Sequence, residues 1–261
     1  VYTRERITVK TTYAGYTDIG DRENNEDSFV FTKADGKCLC AVADGVGGAN
    51  AGEVASNTLT RTLYDIFTES PGNFNLPNAL RQANAKIYAY RQHLKNDMKT
   101  TAAAVCTDGS RVCCAHSGDT RIYLFSRTKR FGKDKYKIIY QSRDHSVAAL
   151  AVRIGEIDET GIRSHPDRNR ITRCAGVSPE DFRLDEVWFD LKNDDIKAAL
   201  LCTDGFWEYV LENDMISALS RSRTPRKWLR RMCKEAKKRR GKNCDNSTAV
   251  AFFFKKGVFF K

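Results

Sequence analysis

A chain of 261 residues, 41% hydrophobic and 30% charged, is long enough for one large domain with a full core rather than two small ones. No apolar run approaches the roughly 20 residues of a membrane-spanning helix, which excludes such a span from this stretch. The net charge of +11 directs attention to anionic partners, and residues 221–242, RSRTPRKWLRRMCKEAKKRRGK, carry much of it.

Residues 7–16, 28–33 and 38–43 read as strands. A helix fits 51–69, with Ala55, Leu59, Leu63 and Ile66 on one face. After the turn-rich ESPGNFNLPN a second helix fits 79–96, where Leu80, Ala83, Ile87, Tyr90 and Leu94 recur three and four apart. Strands follow at 101–107, 111–117 and 121–126, then SRTKRFGKDK as an exposed hairpin and a strand near 136–141. Residues 142–180 are polar and irregular, with room for short helices. Strands return at 183–189 and 197–203, a helix pair covers 206–238, and STAVAFFF closes as a strand. Helices set between runs of strands predict an α+β fold with antiparallel sheets rather than a parallel βαβ series.

Trp228, Leu229, Met232, Cys233 and Ala236 fall at helical spacing within the basic stretch. That pattern makes it a docked helix with solvated Lys and Arg rather than a nucleic-acid-binding run, in which aromatic residues would be interleaved. Nine cysteines include no C-x-x-C pair, and six lie in or beside apolar runs. An odd count in such places fits reduced, buried thiols of a cytoplasmic protein. The chain begins at Val1 rather than a methionine, as a domain cut from something longer would.

Four Asp-Gly pairs divide into two kinds. Asp35-Gly36 and Asp108-Gly109 sit between strand-like runs and read as hairpin turns. Asp44-Gly45 and Asp204-Gly205 instead end the apolar runs CLCAVA and AALLCT and precede helical patterns. Each of these two acids alone reads equally as a helix N-cap. Asp119 ends VCCAHSGD, Asp245 precedes STAVAFFF, and Glu26 and Asp27 precede another strand. If those strands share one core, their ends bring six carboxylates together, a cluster that needs cations to offset its repulsion. Oxygen ligands without His or Cys point to Mg²⁺ or Mn²⁺. A nucleotide loop is excluded by spacing: Asn50 stands where a dinucleotide fingerprint needs Gly, and Gly52 is followed by Glu53-Val54 rather than Lys-Ser/Thr. Cys233 and Arg239 have the spacing of cysteine-nucleophile phosphatases, but the intervening KEAKK is helical, charged and without glycine.

With these residues in view, the chain resembles the metal-dependent serine/threonine protein phosphatases of type 2C, in their shorter bacterial form. The likeness rests on GDRENNEDSF (20–29), VADGVGGANAGEVAS (42–56), TTAAAV (100–105), HSGDTRIYLF (116–125), RDHS (143–146), HPDRNRITRCAG (165–176), LLCTDGFWEYV (200–210) and CDNSTAVAFF (244–253). It implies a single domain over 1–261, a four-layer α-β-β-α sandwich of two antiparallel sheets flanked by helices, and a flap at about 153–173. It also implies two divalent ions, Mn²⁺ or Mg²⁺, and a third through Asp119. By the same match Asp44 bridges both metals, Gly45 binds one through its carbonyl, and Asp204 and Asp245 complete the other's shell. Glu26 and Asp27 act through coordinated water, and Arg22 grips the substrate phosphate. The implied reaction is attack of a metal-bridging water on phosphoserine or phosphothreonine, with no covalent intermediate. The implied partners are phosphoprotein substrates and a cognate Ser/Thr kinase, with a monomeric enzyme. Some members place His after the Asp-Gly pair as general acid; Val46 stands here, which leaves that proton to a metal-bound water. His116, on a strand, is expected to be a core histidine, and Arg163, His165, Asp167, Arg168 and Arg170 to be solvated loop charge.

Two other readings differ in what they require. An inert regulatory binding module of the same fold would have lost metal acids, and all six are present. A metal hydrolase acting on nucleic acid would use the +11 charge and show steeply salt-dependent binding.

Overall fold

A computed structural model of the protein describes residues 9–47, 51–130, 133–191 and 193–256. Strands β1 (Val9–Asp18), β2 (Asp27–Ala34) and β3 (Lys37–Val46) come first, followed by helices α1 (Ala51–Glu69) and α2 (Leu76–Leu94). Next are β4 (Lys99–Thr100), β5 (Ala102–Thr107), β6 (Arg111–Ser117), β7 (Arg121–Arg130) and β8 (Lys133–Gln141). Helix α3 (Val147–Arg153) and a 3-10 turn at Glu159–Ser164 precede β9 (Asp185–Asp190) and β10 (Ile196–Cys202). Helices α4 (Asp204–Trp207), α5 (Glu212–Ser220) and α6 (Pro225–Arg239) lead into β11 (Ser247–Lys256).

The run CLCAVA lies within β3, and both faces of that strand are covered. Leu39, Ala41 and Ala43 pack under α1 and α2, while Cys40 and Val42 pack against the other sheet. The same alternation repeats in β10, where Ala198, Leu200 and Cys202 face helices and Ala199 and Leu201 face inward. A strand sandwiched on both sides needs no polar alternate, so its sequence reads as a continuous apolar run.

One sheet is ordered β2-β3-β5-β6-β9, with β4 alongside the end of β3; the other is ordered β1-β11-β10-β7-β8. Neighbouring strands are antiparallel throughout. The two sheets share a core that includes Val42, Leu124, Leu201, Val250 and Phe252. Helices α4, α5 and α6 close the outer face of the second sheet over Tyr123, Leu200, Trp207, Trp228 and Met232. The four layers are therefore α-β-β-α, as the resemblance implies.

Several boundaries move for local reasons. Helix α2 starts at Leu76, earlier than its apolar stripe, because Asn75 accepts the Asn78 N–H at 2.9 Å and Pro77 suits the first turn. The expected helix pair at 206–238 is three helices; Thr224 and Pro225 cap α6 after a break at 221–224. Strands β7 and β8 extend into SRTKRFGKDK, whose tip at 131–132 lies outside the described residues, as do positions 7 and 8 of the first expected strand. Asp35-Gly36 forms a tight hairpin with φ of 51° and 74°, joining Ala34 to Lys37. Strand β3 does not stop at Asp44: Gly45 and Val46 go on to pair with Thr100 and Lys99.

Candidate metal centre

The acids singled out in the sequence reach one end of the two sheets by different routes. Asp27 opens β2 and stands opposite Asp44 in the β2–β3 register. Asp119 occupies the turn from β6 to β7, Asp204 is the first residue of α4 just beyond β10, and Asp245 lies in the loop entering β11. Glu26, Asp44, Gly45, Asp119, Asp204 and Asp245 line one cleft of about 610 Å³ together with Arg22. Asp27 is set back from that lining, its Oδ2 accepting a hydrogen bond from Thr203 Oγ1 at 2.9 Å. All eight site residues expected from the sequence thus gather at one end of the molecule.

Backbone and hydroxyl contacts hold these positions. Thr101 Oγ1 accepts the Asp44 N–H at 2.9 Å, and the Thr101 N–H returns a bond to the Asp44 carbonyl at 2.8 Å. Asn246 ties three segments together: its Oδ1 accepts the Glu26 N–H at 2.8 Å, and its Nδ2 donates to Ile19 and Asn24 carbonyls. Trp207 Nε1 donates to the Asp119 carbonyl at 3.0 Å. Gly45 is required by packing, since a Cβ there would stand 2.2 Å from the Gly52 carbonyl oxygen of α1. Gly205 is confined in the same way, with Asn246 O at 2.0 Å from its would-be Cβ. At both positions the glycine serves close backbone packing first.

The electrostatics are those of an uncompensated cluster. Burial, then the neighbouring carboxylates, push Asp44 and Asp119 well above the ordinary carboxylate range. Asp27 is pushed up to about 7, first by burial and then, against bonds from Thr248 and Thr203, by Asp204 and Asp245. Asp204 is also pushed up to about 7, by burial and then by Glu208 and Asp245. Glu26 is raised by burial. Asp27 Oδ1 and Asp204 Oδ1 are buried with no hydrogen-bond partner. Arg22 is the one cation among the described lining residues, and it pairs with Asp245 at 2.7 Å. Orphaned oxygens and a surplus of negative charge fit divalent cations, and the all-oxygen donor set suits Mg²⁺ or Mn²⁺.

Other loop residues separate from the expectation. Arg163 bonds the Trp207 carbonyl and Glu212, and Arg168 bonds Glu208 at 2.6 Å, so both pin the 153–173 segment to the α4 region. Asn169 and Ile171 of that segment line the cleft instead. His116 is a core histidine as expected, buried and stacked on His145 at 4.6 Å. Thr101 and Asn246 were not singled out in the sequence; the only signal was a polar residue at the head of a buried strand. All nine cysteines are free thiols, in keeping with the absence of a disulfide pattern.

Comparison with known proteins places the fold in a known family. Residues 14–244 match the family described as Protein phosphatase 2C. The chain is 31% identical over 213 residues to the serine/threonine phosphatase stp of Listeria monocytogenes serovar 1/2a, covering 78% of this chain and 80% of that protein. It superposes on the serine/threonine phosphatase Stp1 of Staphylococcus aureus with a TM-score of 0.81 at 26% identity, over 98% of this chain and 100% of that one. It also superposes on the catalytic domain of the serine/threonine protein phosphatase PstP in complex with two manganese ions. There the TM-score is 0.76 at 28% identity, over 95% of this chain and 99% of that one. The chain belongs to the protein phosphatase 2C family.

Proposed function

We propose that this protein is a metal-dependent serine/threonine protein phosphatase in which Asp44, Gly45, Asp119, Asp204 and Asp245 hold two or three Mn²⁺ or Mg²⁺ ions. The observation that carries this reading is the meeting of those acids, with Arg22, in one open cleft. Glu26 and Asp27 support the ions from behind. Two divalent ions, when bound, acidify a water between them and offset the charge that builds on phosphorus during in-line displacement.

The chain's own part is to bind and orient. Arg22 offers a permanently charged fork whose geometry matches two phosphate oxygens. Its present pair with Asp245 is partly exposed, 57% and 36% for the two side chains, and so is weak enough to give way to substrate. The described lining residues include no serine, cysteine or histidine, and Thr101 Oγ1 is engaged by the Asp44 N–H. This reading gives the carboxylates to the ions, so it takes direct attack by water without a covalent enzyme intermediate.

The wider reading is a single phosphatase domain over residues 1–261 with a flap at 153–173, acting as a monomer in the cytoplasm. Its partners are phosphoprotein substrates and a cognate Ser/Thr kinase rather than nucleic acid. Among the described residues no helix is long and apolar enough to cross a membrane. Hydrolysis of p-nitrophenyl phosphate and of a phosphothreonine peptide should require added Mn²⁺, stop in EDTA and collapse in Asp204→Asn. Full activity in EDTA would overturn the mechanism. Failure to bind Mn²⁺ in calorimetry would leave an inert binding module instead.

A further inference from the structure

Helix α6 carries an exposed charge pattern for which the hydrolytic reading has no use. Trp228, Leu229, Met232 and Ala236 are buried against the second sheet, while Arg226, Lys227, Arg230, Arg231, Lys234 and Lys237 point outward. None of these six cations has a carboxylate within ion-pair distance among the described residues, although other basic residues of the same helix are paired. Lys238, for example, binds Glu235, and Arg239 binds Asp214. Unpaired like charges on one helix face repel each other, a cost that an anionic partner reverses.

The direction of the helix supplies the second observation. Its N-terminal end lies far from the cleft, with Trp228 5.8 Å from Phe253 in the distal part of β11. The residues just past its C-terminal end are fastened to the cleft. Arg240 bonds Asp18 Oδ2 at 3.1 Å and the carbonyl of Gly205, next to Asp204, at 3.3 Å. Cys244 and Asp21, a cleft-lining residue, exchange two bonds of 2.9 Å. The helix therefore runs toward the cleft, with its C-terminal end the nearer.

We infer that α6 is a docking ramp for an acidic segment of the phosphoprotein substrate, an inference that rests on the phosphatase reading above. Its 15 residues span about 22 Å at ~1.5 Å per residue. An extended chain covers that length in about seven residues at ~3.3 Å each. The substrate is thus a phosphoprotein with a run of Asp and Glu near, but not adjacent to, its phosphoresidue. A lipid surface fits less well, because interfacial helices offer apolar side chains to the membrane and those of α6 are already buried in the protein. Nucleic acid fits less well because aromatic stacking residues are missing from the exposed face.

The test compares phosphothreonine peptides bearing a seven-residue tract of Asp/Glu, of Ser/Gln or of Lys, with wild type and the triple variant Arg230→Glu/Lys234→Glu/Lys237→Glu. Wild type should show a KM about tenfold lower for the acidic than for the neutral peptide at low salt, with kcat alike. The triple variant and 0.5 M NaCl should each abolish that preference, while Mn²⁺-dependent p-nitrophenyl phosphate turnover stays at the wild-type level. Anisotropy with the unphosphorylated acidic peptide reads the same docking without chemistry, so its result stands even if no substrate is turned over. Equal KM values in wild type, or a preference that survives in the triple variant, would overturn the docking ramp. So would a triple variant that loses binding to phosphatidylserine vesicles or duplex RNA while its peptide kinetics are unchanged. Loss of all Mn²⁺-dependent turnover with peptide binding intact would instead sink the phosphatase reading alone.

Discussion

The guanidinium of Arg121 meets the carboxylate of Asp144 through two parallel hydrogen bonds of 2.8 and 2.7 Å, with both side chains buried. Arg121 also lies 3.6 Å from the ring centroid of Trp207, whose indole N–H holds the Asp119 carbonyl. The pair thus supports the turn that carries one of the cleft acids. Breaking it with Arg121→Met strands a buried carboxylate, and a cost of about 3–5 kcal/mol is expected. Asp144→Leu should cost somewhat less, because Glu212 remains 3.5 Å from Arg121. The double replacement should recover much of the loss. Urea unfolding measures all three, and single variants within about 1 kcal/mol of wild type would remove the pair from this role.

Much of this architecture was written in local pattern. Helix α1 was readable residue by residue because its apolar stripe and its packing face coincide. The acids were readable because each stands where a strand-like run starts or stops, a position that a helix cap or a site accounts for. Asn246 was hidden, since its function is to accept and donate across segments more than 200 residues apart, and no local period records that. The continuation of β3 past Asp44 was hidden for the same reason: Thr100 and Lys99, not the strand itself, supply its partners. Asn169 and Ile171 reach the cleft from an irregular loop whose course is set by Arg163 and Arg168, and those two looked like ordinary solvated charges.

Chelation should invert the usual pH dependence of stability for the site. Asp204 and Asp27 titrate at about 7 in the folded protein against 3.8 for a free carboxyl. Between those values the folded state holds more protons than the unfolded chain, so these two groups make stability fall as pH rises from about 4 to 7. Buried His116 and His145, held below the ordinary 6.5, act in the opposite direction. The diagnostic quantity is therefore the gap between wild type and Asp204→Asn in EDTA. The variant should melt higher at pH 7.5, and the gap should narrow toward pH 5. Added Mn²⁺ should reverse the order by stabilising wild type more. A wild type that outlasts Asp204→Asn in EDTA at pH 7.5 would contradict the repulsive cluster.

Arg22→Lys keeps the charge and loses the planar fork. The Arg22–Asp245 pair is partly exposed, so stability should change by less than about 1 kcal/mol. Transition-state binding should suffer more, with kcat/KM for a phosphothreonine peptide falling about tenfold or more because one point charge cannot bridge two phosphate oxygens. Steady-state kinetics at saturating Mn²⁺ tests this, and wild-type values for the lysine variant would deny Arg22 its phosphate contact.

The His145 ring reaches the cleft through one bond to Gly118, beside the 3.0 Å bond from the His145 N–H to the Gly118 carbonyl. Its Nδ1 accepts the N–H of Gly118, beside Asp119, at 3.1 Å, while Nε2 lies 3.2 Å from Asp185 Oδ2. With Nδ1 accepting, the ring proton of the neutral imidazole sits on Nε2 and is donated to Asp185, which Arg173 holds at 2.8 Å. His116, His145 and Asp185 bring ligand atoms within 4.8 Å of one another, yet this arrangement is a poor cation site. Neither nitrogen of His145 has a free lone pair, and the Arg173 guanidinium stands 3.3 Å from Nε2. The network instead fixes Gly118, whose φ of 113° sets the turn presenting Asp119. His145→Leu leaves the Gly118 N–H unpartnered and should raise the half-activating Mn²⁺ concentration several-fold, on the order of the 10-fold or greater losses seen when supporting partners of metal ligands are removed. His145→Asn, with an amide oxygen near the place of Nδ1, should restore part of that affinity. Mn²⁺ titration of phosphatase activity and calorimetry on the same two variants separate this positioning role from general destabilisation, since Leu and Asn variants that bind Mn²⁺ equally well would leave His145 a packing residue.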